Sequence, residues 1–123
     1  MIVDPARKQL YNQQTQIFKL LSHPARLTIL EILRSGEECV CHMEAVSGYR
    51  QAYLSQQLAV LREADIIQDR REGWNIYYRV TRPEIYRALD AIQSMVSDSR
   101  PVQGRTTSPH CPCPKCATQR KSS

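Results

Sequence analysis

The sequence predicts a mainly α-helical fold that carries one β-hairpin, and three observations support this. Apolar residues recur at helical spacing from Arg7 to Leu21 and from Leu27 to Leu33. Two more helical segments follow, separated by a short turn that contains Gly48. Residues 66–80 then alternate between apolar and polar side chains, which is typical of strands.

The first two helices have recognisable boundaries. We expect the first helix to run from Arg7 to Leu21. In the second, Ser22 is the expected N-cap and Pro24 suits the first turn. Ser35 and Gly36 are expected to end it.

The next two helices form a pair. A short third helix is predicted from about Cys39 to Val46, and a fourth from about Arg50 to Ala64. Leu54, Leu58 and Leu61 are spaced for burial in the core. Two helices joined by a turn of a few residues that includes glycine are the signature of a helix-turn-helix.

The alternating segment predicts a hairpin with its turn at Arg71 to Gly73. One strand face is predicted to carry Trp74, Ile76, Tyr78 and Val80, and the other Asn75, Tyr77 and Arg79. A last helix begins near Pro83 and reaches about Ser97. The order α-α-α-α-β-β-α is that of a winged helix-turn-helix, and the first and last helices are expected to supply the apolar faces of a dimer.

Composition and charge restrict the function. The 123 residues include 17 Lys and Arg against 12 Asp and Glu, a formal net charge of +5, which favours nucleic acid as a partner. No apolar run is long enough to cross a bilayer and the N-terminus has no apolar signal core, so a cytoplasmic protein is expected. No phosphate loop or catalytic set is recognisable, so an enzyme is not expected.

Residues 1–98 are predicted to form the DNA-binding and dimerisation domain, and residues 99–123 a flexible Cys-rich tail. The tail holds four of the seven prolines and almost no aliphatic residues. It also holds three of the five cysteines. Because cytosolic thiols stay reduced, metal binding or redox sensing is the leading reason for cysteines in such a chain.

The predicted DNA contacts lie on the fourth helix and the hairpin. In this arrangement the second helix of the pair enters the major groove, where glutamine can pair with adenine, and arginines neutralise phosphates. The expected contact residues are Arg50, Gln51, Tyr53, Ser55, Gln56, Arg70 and Arg71.

Four segments, "LSHPARLTILEIL", "EECVCHM", "LSQQLAVLREADII" and "REGWNIYYRV", together resemble the ArsR/SmtB family of winged-helix, metal-responsive repressors over roughly residues 10–97. The resemblance implies a homodimer that binds a palindromic operator in double-stranded DNA and releases it when metal binds. Cys39 and Cys41 resemble the thiolate ligands of the family's arsenite and cadmium or lead sensors.

This sequence departs from the family pattern because the usual further thiols are absent from the third helix and from the N-terminus. We expect the tail to supply them, as Cys111, Cys113 and Cys116. Five thiols suit a soft inducer ion such as As(III), Cd(II), Pb(II), Cu(I) or Zn(II). His42 and His110 lie next to these cysteines and are weaker candidates for coordination.

Cys39 and Cys41 are two positions apart, and side chains at that spacing in a helix point in nearly opposite directions. One ion is therefore expected to bind both only if the helix start distorts, which would disturb the DNA-ready geometry. Two other functions stay open. The cysteines could form a thiol redox or persulfide switch on the same fold. Alternatively, the chain binds DNA constitutively and its tail holds a structural zinc.

Overall fold

A computed structural model describes residues 4–96 of the chain, and residues 1–3 and 97–123 lie outside the described part. The helices are α1 (Pro5–Leu21), α2 (Pro24–Ile32), α3 (Val40–Ser47), α4 (Gln51–Glu63) and α5 (Ile85–Val96). A short 3₁₀ turn, Leu33–Ser35, follows α2. The strands are β1 (Glu38–Cys39), β2 (Ile67–Glu72) and β3 (Asn75–Val80). The predicted winged helix-turn-helix is thus confirmed, with the short strand β1 as an addition.

The core is built around α2 and α4. Leu54, Leu58 and Leu61 of α4 are completely buried, as their spacing predicts. They pack with Ile29 and Leu30 of α2, which are also fully buried. The opposite side of α4 is left exposed along its first two turns.

The three strands form an antiparallel sheet in the order β1-β3-β2. One face packs on the core through Tyr78, whose pKa is raised by burial and by the nearby carboxylate of Asp69. The other face carries Tyr77, which pairs with Cys39 of β1. The prediction that Trp74 belongs to a strand face was wrong, because Trp74 lies in the turn and its side chain is fully exposed.

Several helix boundaries differ from the prediction: α1 begins at Pro5 and not at Arg7, and the starts of α2 and α3 also differ. Ser22 does not cap α2; its hydroxyl donates to the carbonyl oxygen of Lys19 at the end of α1, and His23 occupies the N-cap position of α2. Helix α3 begins at Val40, so Cys39 precedes it in an extended conformation. Gly48 ends α3 with a φ of 79°, a left-handed conformation that glycine adopts without strain.

Helices α1 and α5 leave large apolar side chains in contact with solvent. Phe18 is 60 % exposed, Met95 84 % and Val96 80 %. Surfaces of this kind usually mark an interaction site. Among the helices of residues 4–96, none has the length and apolar character needed to cross a membrane.

Candidate nucleic-acid interface and thiol site

Five of the predicted DNA-contacting residues lie together at the start of α4. Arg50 is the N-cap residue, and the side chains of Gln51, Tyr53, Ser55 and Gln56 are all exposed. The buried leucines fix the opposite side of the helix in the core. The result is a polar helix face whose side chains are directed away from the protein, as major-groove reading requires.

A part-buried polar contact that the sequence alone does not reveal joins α2 to α4. Arg26 of α2 donates from Nε to Oε1 of Gln57 at 2.8 Å and from a terminal nitrogen to the carbonyl oxygen of Leu20 at 3.1 Å. Gln57 is only 9 % exposed. Helical spacing from Leu54 and Leu61 places Gln57 on the buried face, so the burial of Gln57 could be predicted from the sequence.

Two arginines of the β2–β3 hairpin, which is the wing, differ in their surroundings. Arg70 donates two hydrogen bonds to Glu37, at 2.6 and 3.1 Å, and one to Glu72 at 2.9 Å. These bonds raise the pKa of Arg70, and its guanidinium lies 4.9 Å from the ring centre of Tyr77. Arg71 is exposed, and no carboxylate of residues 4–96 forms an ion pair with it. Arg71 is therefore better placed to contact phosphate than Arg70.

Cys39 and Cys41 come together at the junction of β1 and α3. Their Sγ atoms are in direct contact, and both residues are free cysteines. Cys39 is 2 % exposed, whereas Cys41 is partly exposed. The prediction that one ion could bind both cysteines only if the start of the helix distorts was wrong. Cys39 is extended (φ −88°, ψ 161°), and only Cys41 is helical. No helix distortion is needed to bring the sulfur atoms together.

The thiol pair is covered from the side of the wing. The buried side chain of Tyr77 packs against Cys39, and Cys41 packs against the same cluster. The guanidinium of Arg70 also lies over the Tyr77 ring. The thiols are thus joined to the wing by one tyrosine and one arginine.

The remaining predicted metal ligands are placed as follows. His42 is 2 % exposed, and its Nε2 lies 3.8 Å from a carboxylate oxygen of Glu38, which is fully buried. Within residues 4–96, no group of three or more His, Cys, Asp and Glu side chains can hold a metal ion. Cys111, Cys113, Cys116 and His110 lie outside the described residues. The two thiols alone are an incomplete shell for a metal ion.

Comparison with known proteins agrees with this arrangement. Residues 23–69 match the model of the bacterial regulatory protein, arsR family. A biofilm growth-associated repressor of Agrobacterium fabrum is 40 % identical over 91 residues, which cover 74 % of this chain and 78 % of that protein. The chain belongs to the ArsR family. This ArsR-family protein is a transcriptional repressor of the winged helix-turn-helix class.

Two other relatives of this ArsR-family protein are informative. The arsenic resistance transcriptional regulator ArsR1 of Pseudomonas putida is 42 % identical over 85 residues, covering 68 % of this chain and 65 % of that protein. The homodimeric winged helix-turn-helix DNA-binding domain of a possible ArsR-family regulator from Mycobacterium bovis has a TM-score of 0.65 and 27 % identity. The match covers 76 % of this chain and 86 % of that structure. The described part of this chain has the same fold, and its helices α1 and α5 carry exposed apolar side chains.

Proposed function

We propose that this repressor binds operator DNA as a homodimer and releases it when a soft metal(loid) ion binds the thiolates of Cys39 and Cys41. The contact between the two Sγ atoms carries the proposal, because it presents two soft ligands at one point without distortion of α3. The operator would be contacted by Arg50, Gln51, Tyr53, Ser55, Gln56 and Arg71. Arg70 would contact it only after its guanidinium releases a carboxylate and binds a phosphate instead.

The exposed apolar faces of α1 and α5 support the proposed homodimer. Leu10 and Phe18 of α1, and Met95 and Val96 of α5, are between 49 % and 84 % exposed. Association of two copies through these helices would remove this surface from water. A two-fold dimer would place its two α4 helices about 34 Å apart, one turn of B-form DNA.

The ion needs more ligands than the two described thiols. As(III) takes three thiolates, and Cd(II) or Zn(II) takes four. The tail cysteines Cys111, Cys113 and Cys116 are the remaining thiols of the chain, so we propose that they complete the shell. The chain between Ser97 and Cys111 can extend over roughly 40 Å, which allows binding to either protomer.

The geometry of the thiol pair suggests how binding would reach the DNA surface. Around a tetrahedral ion with bonds of about 2.3 Å, two sulfurs lie roughly 3.8 Å apart. The Sγ atoms of Cys39 and Cys41 are already in contact, so one ion could bind both without a large movement of either residue. Cys39 pairs with the wing strand through Tyr77, and α3 packs against α4. An ion bound by these thiolates and by the tail cysteines would therefore act on the β2–β3 hairpin, on α4, or on both.

The energy that this switch requires is available. A change from 99 % to 1 % DNA-competent protein takes about 5.5 kcal/mol of differential binding. Thiolate coordination of a structural zinc releases about 10–16 kcal/mol. Between about a third and just over half of the coordination energy would need to depend on the conformation.

A redox switch is the second candidate, since the same Sγ contact would allow oxidation of Cys39 and Cys41 to a disulfide by a peroxide. The two functions make different predictions. Metal-dependent release occurs under reducing conditions, whereas redox release needs an oxidant and no metal.

The experiment is a DNA-binding titration with a duplex selected from a random library by the full-length protein. Under reducing conditions, As(III), Cd(II), Pb(II), Cu(I) and Zn(II) are added separately, and hydrogen peroxide is added to a metal-free sample. We expect at least one ion to release the DNA. The double variant Cys39→Ser, Cys41→Ser should bind DNA normally and lose this response.

Two further proteins separate the roles of the thiols. A triple serine variant of Cys111, Cys113 and Cys116, and the chain truncated after Ser99, should bind DNA and need more metal for release. Metal-induced release that persists in the Cys39, Cys41 double variant would disprove the proposed site. Release by peroxide alone would support the redox function.

A further inference from the structure

The tip of the wing carries an aromatic side chain that the fold does not use. Gly73 and Trp74 form a two-residue turn between Glu72 and Asn75, which face each other across the hairpin. Gly73 has a φ of 60°, which suits the first position of a type II′ turn. Glycine therefore provides the turn, and the side chain at position 74 is not needed to form it.

Trp74 is 101 % exposed, so nothing in residues 4–96 covers its indole ring. Most other large exposed apolar residues lie on α1 and α5, where the proposed dimer would cover them. Trp74 belongs to neither helix. Tryptophan has a large apolar surface, and its contact with water is unfavourable compared with its burial against a partner.

The surroundings of Trp74 suit a polyanion. Arg71 lies three residues away on β2, is exposed, and is not neutralised by any carboxylate of residues 4–96. The hairpin strands are each six residues long, so the tip reaches about 20 Å beyond the hairpin base, where Ile67 is buried in the core. An exposed apolar ring at the end of a projecting arm, with an exposed arginine three residues away, is the chemistry used to enter a DNA groove.

We propose that Trp74 inserts into the minor groove of operator DNA, beside the major groove in which α4 lies, and packs its ring against sugar and base edges. Arg71 contacts the adjacent phosphate. This inference rests on the proposed DNA binding, and it adds an apolar contact to the polar contacts of α4. Because every sequence offers sugar and base edges, this contact strengthens binding with little dependence on base sequence.

The test uses the fact that Trp74 is the single tryptophan of the chain, so indole fluorescence reports on this position alone. The full chain is titrated with the selected duplex while the indole is excited selectively. We expect quenching and a blue shift at the same DNA concentration at which anisotropy reports binding. Acrylamide should quench the bound indole about twofold less than the free one, because the groove shields the ring.

Variants give a second, independent measurement. Trp74→Ala should weaken DNA binding by about tenfold with an unchanged salt dependence, since the lost contact is apolar. Trp74→Phe should restore most of the affinity. Arg71→Ala should instead reduce the slope of log K against log salt by about 0.9. Unfolding in urea should be unchanged in Trp74→Ala, because the ring contacts nothing in the described chain.

The possible failures are distinguishable. If the wild-type chain binds no duplex, the proposed function itself fails. If it binds DNA but the indole emission is unchanged and Trp74→Ala binds within about twofold of wild type, this inference alone is overturned. An emission shift that follows protein concentration without DNA would mean that a second copy covers Trp74, and would also overturn it.

Discussion

Tyr86 connects α5 to α2, and the effect of its substitution on the free energy of unfolding, with its pH dependence, follows from the contacts of its side chain. The hydroxyl donates a 2.6 Å hydrogen bond to the carbonyl oxygen of Leu30. The guanidinium carbon of Arg34 lies 4.5 Å from the centre of the ring. The substitution Tyr86→Phe removes the hydroxyl and keeps the ring, so it isolates the hydrogen bond.

At neutral pH, we expect Tyr86→Phe to lower the free energy of unfolding by about 1 kcal/mol, the usual net value of one such bond. For a domain of this size, that loss corresponds to a fall in Tm of roughly 4–8 °C. The neighbouring cation-π contact with Arg34 should be little affected, because phenylalanine has a similar ring face.

The difference in stability between wild type and Tyr86→Phe should shrink at high pH. Burial raises the pKa of Tyr86 above its value of about 10 in the unfolded chain. Above about pH 10 the unfolded state therefore loses a proton that the folded state keeps, and wild-type stability falls by about 1.4 kcal/mol per pH unit. Phenylalanine does not titrate. By about pH 11, wild type and variant should be equally stable.

The assay is urea unfolding followed by circular dichroism at several pH values from about 7 to 11, the range in which the tyrosine of the unfolded chain titrates. Protein concentration is held fixed, because dimerisation would make stability depend on it. Tyr53→Phe is the matched control, since Tyr53 is exposed on α4. A difference between wild type and Tyr86→Phe that stays constant over this pH range would refute the reasoning.

Three other predictions concern the core, the thiols and the DNA surface. Leu58→Ala should lower the free energy of unfolding by about 2–5 kcal/mol in urea melts, because Leu58 is fully buried between α4 and the core. In a chain without the C-terminal tail, iodoacetamide should modify Cys41 before Cys39, as peptide mass spectrometry would show, because only Cys41 is reached by solvent. Gln51→Ala should change which base is preferred at one operator position and leave the salt dependence of binding unchanged, whereas Arg71→Ala should do the reverse, as selection and salt titration would measure.

The helical part of the fold was predictable because burial and helical spacing agree. Leu54, Leu58 and Leu61 recur at intervals of three and four, and all three are buried. The same spacing identifies the buried side of α4, so the exposed positions that begin at Gln51 follow directly. The partner of Gln57 was not predictable, because Arg26 lies 31 residues away and sequence spacing says nothing about such a contact.

The thiol site could be predicted by residue but not by geometry. Whether Cys39 and Cys41 approach or diverge depends on a helix boundary, and boundaries shift by one or two residues without a clear sequence signal. Here α3 begins one residue after Cys39, and this single residue turns the side chains toward each other. The position of Trp74 depended on a similar shift, from the first residue of a strand to the second residue of a turn.

The described contacts also indicate which element would respond first when an ion binds the thiols. Cys41 belongs to α3, an eight-residue helix anchored by the fully buried Met43 and packed against α4. Cys39 belongs to β1, a two-residue strand at the sheet edge that pairs with β3. Cys39 is paired with Tyr77 of β3 and packs against it, whereas Cys41 is connected to α4 through the rest of α3. In the proposed mechanism, the signal therefore reaches the wing through Tyr77 before it disturbs α4.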